Sequence, residues 1–474
     1  MSSVTLRPYQ QEAVDSVERD WASGFRSVLG TAATGAGKAE PMDALVLTEN
    51  GWALMQDLRR GRRVIGSDGK GHAITGLFPQ GNRPVYAVLF SDGTIVECTA
   101  DHLWSVQTKS QKARASGFFT KRLCDLIGDT HDGSGARKWF LPIVDMVQFA
   151  RQASVLPIAP YALGALLGDG SFRNRHVSLS NPDSQVRDRV SSELGLKLKL
   201  LQPPNPYDYA VVQQAYRGQY GRGGAPLGRQ LHCFGLDGKL SYEKSIPPQY
   251  MLASVEDRLD MLRGLMDTDG YCPDGGKAPE FCTTSVALAD GVCEIVRSLG
   301  GVTRIRTKEH PRYTYRGEVR IGRPAYLITV SLPMCPFYLA RKAARWNPHP
   351  KQGRTKAVER IDYVGEKPCQ CISVDAADGL YVTDGYTLTH NTHIFLDLLT
   401  RALAGSDKRG LILAHRKELV EQPLERLDTF YGDWSMKAGI VMAERDDCDK
   451  QITSATVQTL ASPARLDRYL RNGP

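Results

Sequence analysis

The sequence predicts a mixed fold, an all-β domain interrupted by an α+β domain, with fragments of an α/β lobe on either side. Three observations predict it. A Gly-rich turn, Ala32-Ala33-Thr34-Gly35-Ala36-Gly37-Lys38, is followed by Ala39, and the hydroxyl residue that would complete it arrives only at Thr392. After Ala39, short β-branched runs alternate with turn dipeptides. In the middle, two apolar helical stretches both end in Asp-Gly, at Asp169 and Asp269, 100 residues apart.

Composition sets the outer limits. A chain of 474 residues has room for three domains with separate cores. It is 42% hydrophobic and has a mean hydropathy of −0.32, with no apolar run long enough to span a membrane. The N-terminus lacks the apolar segment of a secretory signal. Ten scattered cysteines point to a reducing, cytoplasmic setting. A net charge of +8 favours a polyanionic partner without naming one.

Residues 1–38 open with Leu6-Arg7-Pro8-Tyr9-Gln10-Gln11 and an amphipathic helical pattern, Ala13, Val14 and Val17 lying at core spacing. Ser27-Val28-Leu29-Gly30 reads as a strand feeding the Gly-rich turn. Joined to Thr392, that turn resembles a P-loop, in which backbone N–H groups cradle phosphates, Lys reaches the terminal phosphates and the hydroxyl binds Mg2+. The Arg-Pro-Tyr-Gln entry and the A-x-T-G-x-G-K-T pattern are similar to superfamily 2 helicases. That resemblance implies that Gly35, Gly37, Lys38 and Thr392 bind nucleotide only once they are contiguous.

Residues 39–155 continue as strands. Ala39 to Leu47 reads as a strand, Asn50-Gly51 as a hairpin turn, and Val64-Ile65, Val85 to Phe90 and Thr94-Ile95-Val96 as further strands. Thr99-Ala100-Asp101-His102 and the distant His390-Asn391-Thr392 together resemble the splicing motifs of inteins, segments that excise themselves from a host chain. The resemblance implies an all-β Hint (horseshoe-like) fold. It also implies that Thr99 and His102 act on the Lys38–Ala39 peptide, that Asn391 cyclises onto its own carbonyl, and that His390 assists as general acid/base. Taken alone, T-x-x-H would be a turn threonine with an exposed histidine. Ala39 departs from the usual Cys or Ser nucleophile. Either the first residue was substituted and the insert inactivated, or another nucleophile acts. Trp104, Cys371 and Thr389 are similar in position to the Trp-Cys-Thr set of class 3 inteins, which start without a nucleophile, and this implies Cys371 as the attacking thiol.

The α+β part is expected over 156–350, after the Leu156-Pro157-Ile158-Ala159-Pro160 boundary. Ala162 to Gly170 and Leu262 to Gly270 both place a glycine, Gly164 or Gly264, inside an apolar helix, where the missing side chain lets two backbones approach. This repeat resembles LAGLIDADG homing endonucleases. The resemblance implies that Asp169 and Asp269 share divalent metal for phosphodiester cleavage, with Mg2+ as cofactor. Lys244, in Lys-Ser-Ile-Pro, is similar to the family's K-x-I-P lysine near the scissile phosphate, with a solvated lysine as the equal alternative. Two basic, aromatic stretches read as DNA-facing strands. Tyr216, Arg217, Tyr220 and Arg222 mark the first; Arg304, Arg306, Lys308, Arg312, Tyr313, Tyr315, Arg316, Arg320 and Arg323 mark the second.

Residues 351–391 return to strands, with Val358 to Val364, Cys371 to Asp375 and Gly379 to Val382. Residues 392–474 then resume the α/β lobe. A helix carries Ile394, Leu396, Leu398, Leu399 and Leu403, Gly410 to Ala414 is a strand leading to a helix, and Ile452 to Leu460 follows. These resemble helicase motifs of a truncated RecA-like lobe without its metal-binding motif or second lobe. The expected partners are double-stranded DNA of the intein-less host allele for the endonuclease and nucleic acid for the helicase host, with no membrane. ATP would serve only the completed helicase, and splicing needs no cofactor. The protein is expected to be a cytoplasmic monomer of prokaryotic or phage origin.

Overall fold

A computed structural model describes residues 39–390 apart from 115–116, 151–155, 174–176, 202–205, 213–225, 275–277, 316, 348–354 and 377. Beyond these it describes 399, 403, 409–414, 420–421, 423–424, 427, 434, 437–442 and 445–471. The expectations for residues 1–38, including Gly35, Gly37 and Lys38, and for Asn391 and Thr392 lie outside the described residues. So do those for Tyr216, Arg217, Tyr220, Arg222 and Arg316, and for Ile394, Leu396 and Leu398.

The chain divides into two compact units. One comprises the described residues of 39–370 and 374–390; the other holds 371–373 and the described residues beyond 391. In the first, a 12-stranded sheet system is built on two 20-residue strands, Gly71–Phe90 and Thr355–Val374. From one edge the order is Thr387–His390, Leu380–Thr383, Leu45–Thr48, Arg63–Ile65, Gly71–Phe90, Thr355–Val374, Trp139–Pro142, Leu103–Thr108 and Phe119–Arg122. Strands from the two ends of this unit are therefore neighbours, since Val46 is paired with Thr383. The single strand expected from Ala39 to Leu47 is two strands, Glu40–Pro41 and Leu45–Thr48. The chain turns between them, where the Ala44 N–H donates to the Pro41 carbonyl (3.1 Å), because each strand has a different partner. The hairpin predicted at Asn50-Gly51 is present, with Gly51 at φ +102°, a conformation that suits glycine.

The α+β region repeats a helix followed by an antiparallel sheet. Helix Pro160–Asp169 leads into Gly170–Ser171, Ser178–Ser180, Asp208–Val212 and Lys197–Leu200; helix Val255–Asp269 leads into Gly270–Tyr271, Glu280–Thr283, Ala325–Ser331 and Val302–Lys308. One apolar core runs through both halves, from Ile158 to Leu339. The helices pack backbone to backbone. A Cβ on Gly164 would lie 2.3 Å from the Met261 carbonyl oxygen, and one on Gly264 would lie 2.2 Å from that of Tyr161. Only glycine fits either position. Two further links tie this region to the strands. Glu294 Oε1 accepts hydrogen bonds from Trp52 Nε1 (2.6 Å) and Tyr386 Oη (2.8 Å), and the buried Arg258 guanidinium donates to the Val147 carbonyl.

In the second unit, Gly410–Ala414, Ile452–Thr456 and Ala438–Met442 form a parallel ladder with Ile452–Thr456 in the middle. Leu403, Leu427 and Ile452 supply its core, and Leu399 packs against them. No helix among the described residues is long and apolar enough to cross a membrane.

Candidate functional sites

The strand-built site begins at Ala39, which is 2% exposed. Thr99 grips it twice. The Ala39 N–H donates to Thr99 Oγ1 (3.2 Å), and the Thr99 N–H donates to the Ala39 carbonyl (3.0 Å). The chain then turns tightly, the His102 N–H donating to the Thr99 carbonyl (3.0 Å), and this aims the imidazole inward. His102 is buried rather than exposed, and its Nε2 is hydrogen-bonded to Thr389 Oγ1. The Trp104 indole packs on His102, with ring centroids 5.2 Å apart. Ser105 Oγ lies 2.7 Å from His390 Nε2. Residues 99–105 thus engage Ala39 at one end of the unit and Thr389 and His390 at the other.

Three further residues at this site escaped the sequence reading. Glu40 is fully buried; Thr383 Oγ1 donates to its Oε2 (2.9 Å), and its Oε1 stands 3.8 Å from His102 Nε2. Burial pushes the Glu40 carboxyl up to about 8, and the negative charge of Asp384 adds to that effect. Ser105 is the second, and Cys369 the third. Cys369 is buried against Ala39 and Val85, with its thiol pushed up to about 11 by burial. Cys371, the thiol singled out from the sequence, is buried in the strand Thr355–Val374, directly after Gln370, the residue paired with Glu40. In the sequence alone, Glu40 and Ser105 carry no signal, because nothing local shows that they will be enclosed.

The helix-built site lies where the two apolar helices end. Asp169 and Asp269 are both partly exposed there, and a Cβ on Gly168 would lie 3.2 Å from Asp269 Oδ2. Burial, and next the neighbouring Asp169 carboxylate, push Asp269 up to about 7. Asp169 is also raised by burial, but Asn181 Nδ2 donates to its Oδ2 (2.6 Å) and opposes the shift.

Lys244 is buried rather than solvated. It is 2% exposed, and its ammonium donates to the carbonyls of Leu166 (3.2 Å), Leu167 (2.8 Å), Gly168 (3.4 Å) and Gly170 (2.7 Å). It closes the C-terminal end of the first helix, where unpaired carbonyls concentrate negative potential. Lys342 does the same for the second helix through Met266 (2.9 Å), Asp267 (2.7 Å), Thr268 (3.3 Å) and Gly270 (2.6 Å). Burial lowers both ammonium groups, Lys244 to about 8. Lys342 was missed, although Lys244 follows Asp169 by 75 residues and Lys342 follows Asp269 by 73. Applying the repeat period would have found it.

Arg304, Arg306 and Lys308 are exposed on the strand Val302–Lys308, with Arg306 paired to Glu280. Arg312, Tyr313 and Arg320 are exposed on the hairpin Arg312–Tyr315 and Glu318–Ile321. The Arg323 guanidinium lies 3.7 Å from the centre of the Tyr242 ring. Among the described residues no group of three or more His, Cys, Asp or Glu is placed to hold a metal ion.

Comparison with known proteins adds three findings. Residues 256–330 match the family described as LAGLIDADG-like domain. The chain is 29% identical over 399 residues to the replicative DNA helicase DnaB of Mycobacterium intracellulare, over 79% of this chain. It spans about 62% of that relative's length. Residues 1–38 and 392–474 make up only about a quarter of the chain, so most of the match falls between them. Solved structures similar to the chain include that of the MchDnaB-1 intein, with 12% identity, a TM-score of 0.23 and coverage of 74% of this chain and 100% of that one. The DnaX mini intein from Spirulina platensis shows 18% identity and a TM-score of 0.16, over 22% of this chain and 67% of that one.

Proposed function

We propose that residues 39–391 excise themselves from the chain, joining Lys38 to Thr392, and that they carry a site-specific DNA endonuclease. The observation that carries the first part is the convergence on residues 99–105. Thr99 holds Ala39 by its N–H and carbonyl, while His102 and Ser105 hold Thr389 and His390. Residues 351 positions apart in sequence have no structural need to share one seven-residue segment; a reaction that cuts beside both ends does.

The chemistry runs through four bonds. The Cys371 thiolate attacks the Lys38 carbonyl, and the Lys38–Ala39 bond breaks as the Ala39 nitrogen takes a proton from His102. Thr392 Oγ then displaces Cys371 from the acyl group. The Asn391 side-chain nitrogen attacks its own carbonyl and releases the Thr392 amine, with His390, oriented by Ser105, moving the proton. That amine finally takes the acyl group from Thr392 Oγ. No cofactor enters these steps. In the joined product Lys38 and Thr392 complete the phosphate loop of the host, which we read as a helicase, and ATP would bind only there.

The intact chain, analysed by mass spectrometry, should yield a ligated 121-residue product and a 353-residue insert, the lengths of 1–38 plus 392–474 and of 39–391. Cys371→Ala should abolish the branched intermediate and the ligated product. Splicing that persisted in that variant would remove the Cys371 route, and an intact native chain would remove the splicing reading. In the latter case Ala39→Cys becomes the decisive variant for an insert inactivated at its first residue.

The paired helix ends support the second activity. Asp169 and Asp269 fit Mg2+, which takes one or two carboxylates and completes its shell with water and phosphate oxygens. When bound, the ion would activate water and stabilise the leaving oxygen. The chain's own contribution is to hold two carboxylates together at the helix ends while Lys244 and Lys342 close those ends from within. Exposed Arg304, Arg306, Lys308, Arg312 and Arg320 are suited to DNA phosphates. Duplex DNA spanning the uninterrupted host junction should be cut in the presence of Mg2+, and DNA left intact would remove this activity.

A further inference from the structure

Among the described residues, Glu40 is an ionisable side chain beside His102 that the proposed steps leave without a role. It follows the residue to be released, is 0% exposed, and lies on the strand segment Glu40–Pro41 against Cys369 and Gln370. Its Oε2 accepts from Thr383, while Oε1 makes no hydrogen bond of ordinary geometry among the described residues, although the Thr389 and Tyr381 hydroxyls lie near enough to the carboxyl to oppose its raised pKa, and it stands 3.8 Å from His102 Nε2. A carboxyl oxygen enclosed without a partner is costly, and proteins retain such groups chiefly where they do chemistry.

Resting on the splicing reading, we infer that Glu40 stores the proton that His102 delivers to the departing Ala39 nitrogen. It is a positioning residue, since it acts through His102 and touches neither reacting atom. As the Lys38–Ala39 bond breaks, the His102 imidazole passes an N–H proton to the nitrogen while taking the Glu40 carboxyl proton, so His102 ends neutral and Glu40 ends as a carboxylate. The proton lost by the Cys371 thiol re-enters from solvent and restores the acid, so the step is balanced.

The surroundings favour a neutral carboxyl at pH 7. Burial raises Glu40 to about 8, and the groups facing it are His102, Asp384, Thr383, Thr389, Tyr381 and the thiols of Cys98 and Cys369. Among the described residues none of these groups is a lysine or arginine. The stored proton is present below that value and lost as pH rises through it.

The test follows the rate of the first cleavage with pH in the intact chain and in Glu40→Gln. Glutamine keeps the size and an oxygen for Thr383 but cannot give up a proton. The native rate should fall as pH passes about 8; the variant should be at least tenfold slower at pH 7 and lack that fall. A variant with the native rate and the native fall overturns the inference and leaves splicing intact. A native chain that never splices overturns both. Should Glu40→Gln fail to fold, carbon NMR of glutamate carboxyls in the Cys371→Ala chain decides. A glutamate titrating near pH 8 supports the store, and none doing so overturns it.

Discussion

Around Ala39 and His390 each functional side chain occurs once, whereas around Asp169 and Asp269 the same parts occur twice. The first site draws Thr99, His102 and Ser105 from one short segment and Thr383 and Thr389 from strands at the other end of the unit, and each makes its own contact. The second has two glycines, two terminal aspartates and two lysines, each lysine closing one helix. A site of single parts fails at any one of them. A duplicated site should fail symmetrically, and where it does not, the difference locates its specialisation.

The glycines offer the largest effect. Gly164→Ala and Gly264→Ala each drive a methyl into a backbone atom at 2.3 or 2.2 Å, and a helix backbone cannot yield as a flexible side chain would. Overpacking of this kind costs about 3 kcal/mol, against a helix-propensity gain of about 1 kcal/mol. Each variant should therefore lose about 2 kcal/mol in urea unfolding. If one were tolerated and the other not, the helix pair would not be the symmetric unit described.

The lysines come next. Lys244→Met and Lys342→Met should each cost about 1–2 kcal/mol by leaving helix-end carbonyls uncovered, part of the loss being offset because a buried charge is removed as well. Equal losses in thermal unfolding would sharpen the comparison. If Lys244→Met abolished DNA cleavage in a fully folded chain while Lys342→Met spared it, only Lys244 would act on the phosphate.

The smallest effect concerns the aspartates, where the halves already differ. Metal binding needs carboxylates, so Mg2+-dependent cleavage should rise with pH through about 7, where Asp269 loses its proton. Asn181→Leu removes the hydrogen bond that opposes the raising of Asp169. Cleavage by that variant should be roughly two- to tenfold weaker at neutral pH and recover in alkaline buffer. A flat pH profile in the native chain would separate cleavage from these carboxylates.

The two sites were also unequally legible in the sequence. Gly164 and Gly264 announce a close helix approach because glycine inside an apolar helix is otherwise unfavourable, and both sit at backbone contacts. The hairpin at Asn50-Gly51 and the strands Gly410–Ala414 and Ile452–Thr456 follow from local pattern. What local pattern cannot give is enclosure. Lys244 reads equally as a solvated cation or a lysine near a phosphate, and only the fold shows it surrounded by carbonyls; Glu40 carries no sign of burial in sequence, and only the fold encloses it beside Thr383 and His102. The break at Met42-Asp43 was invisible for a similar reason, since the flanking strands have different partners and neither partner is nearby in sequence.

Glu294 has a consequence for anyone wishing to shorten this protein. Removing the α+β region to leave a compact strand framework would strip the Trp52 indole and the Tyr386 hydroxyl of their common acceptor, and the Val147 carbonyl of Arg258. Tyr386 is buried and sits at φ +58°, so its backbone is already held in a conformation that non-glycine residues rarely adopt. A minimal version therefore needs more than a linker across the gap. Tyr386→Phe together with an apolar replacement for Trp52 would let the scar heal as a surface, and the trimmed framework would keep its edge beside Thr387–His390 intact.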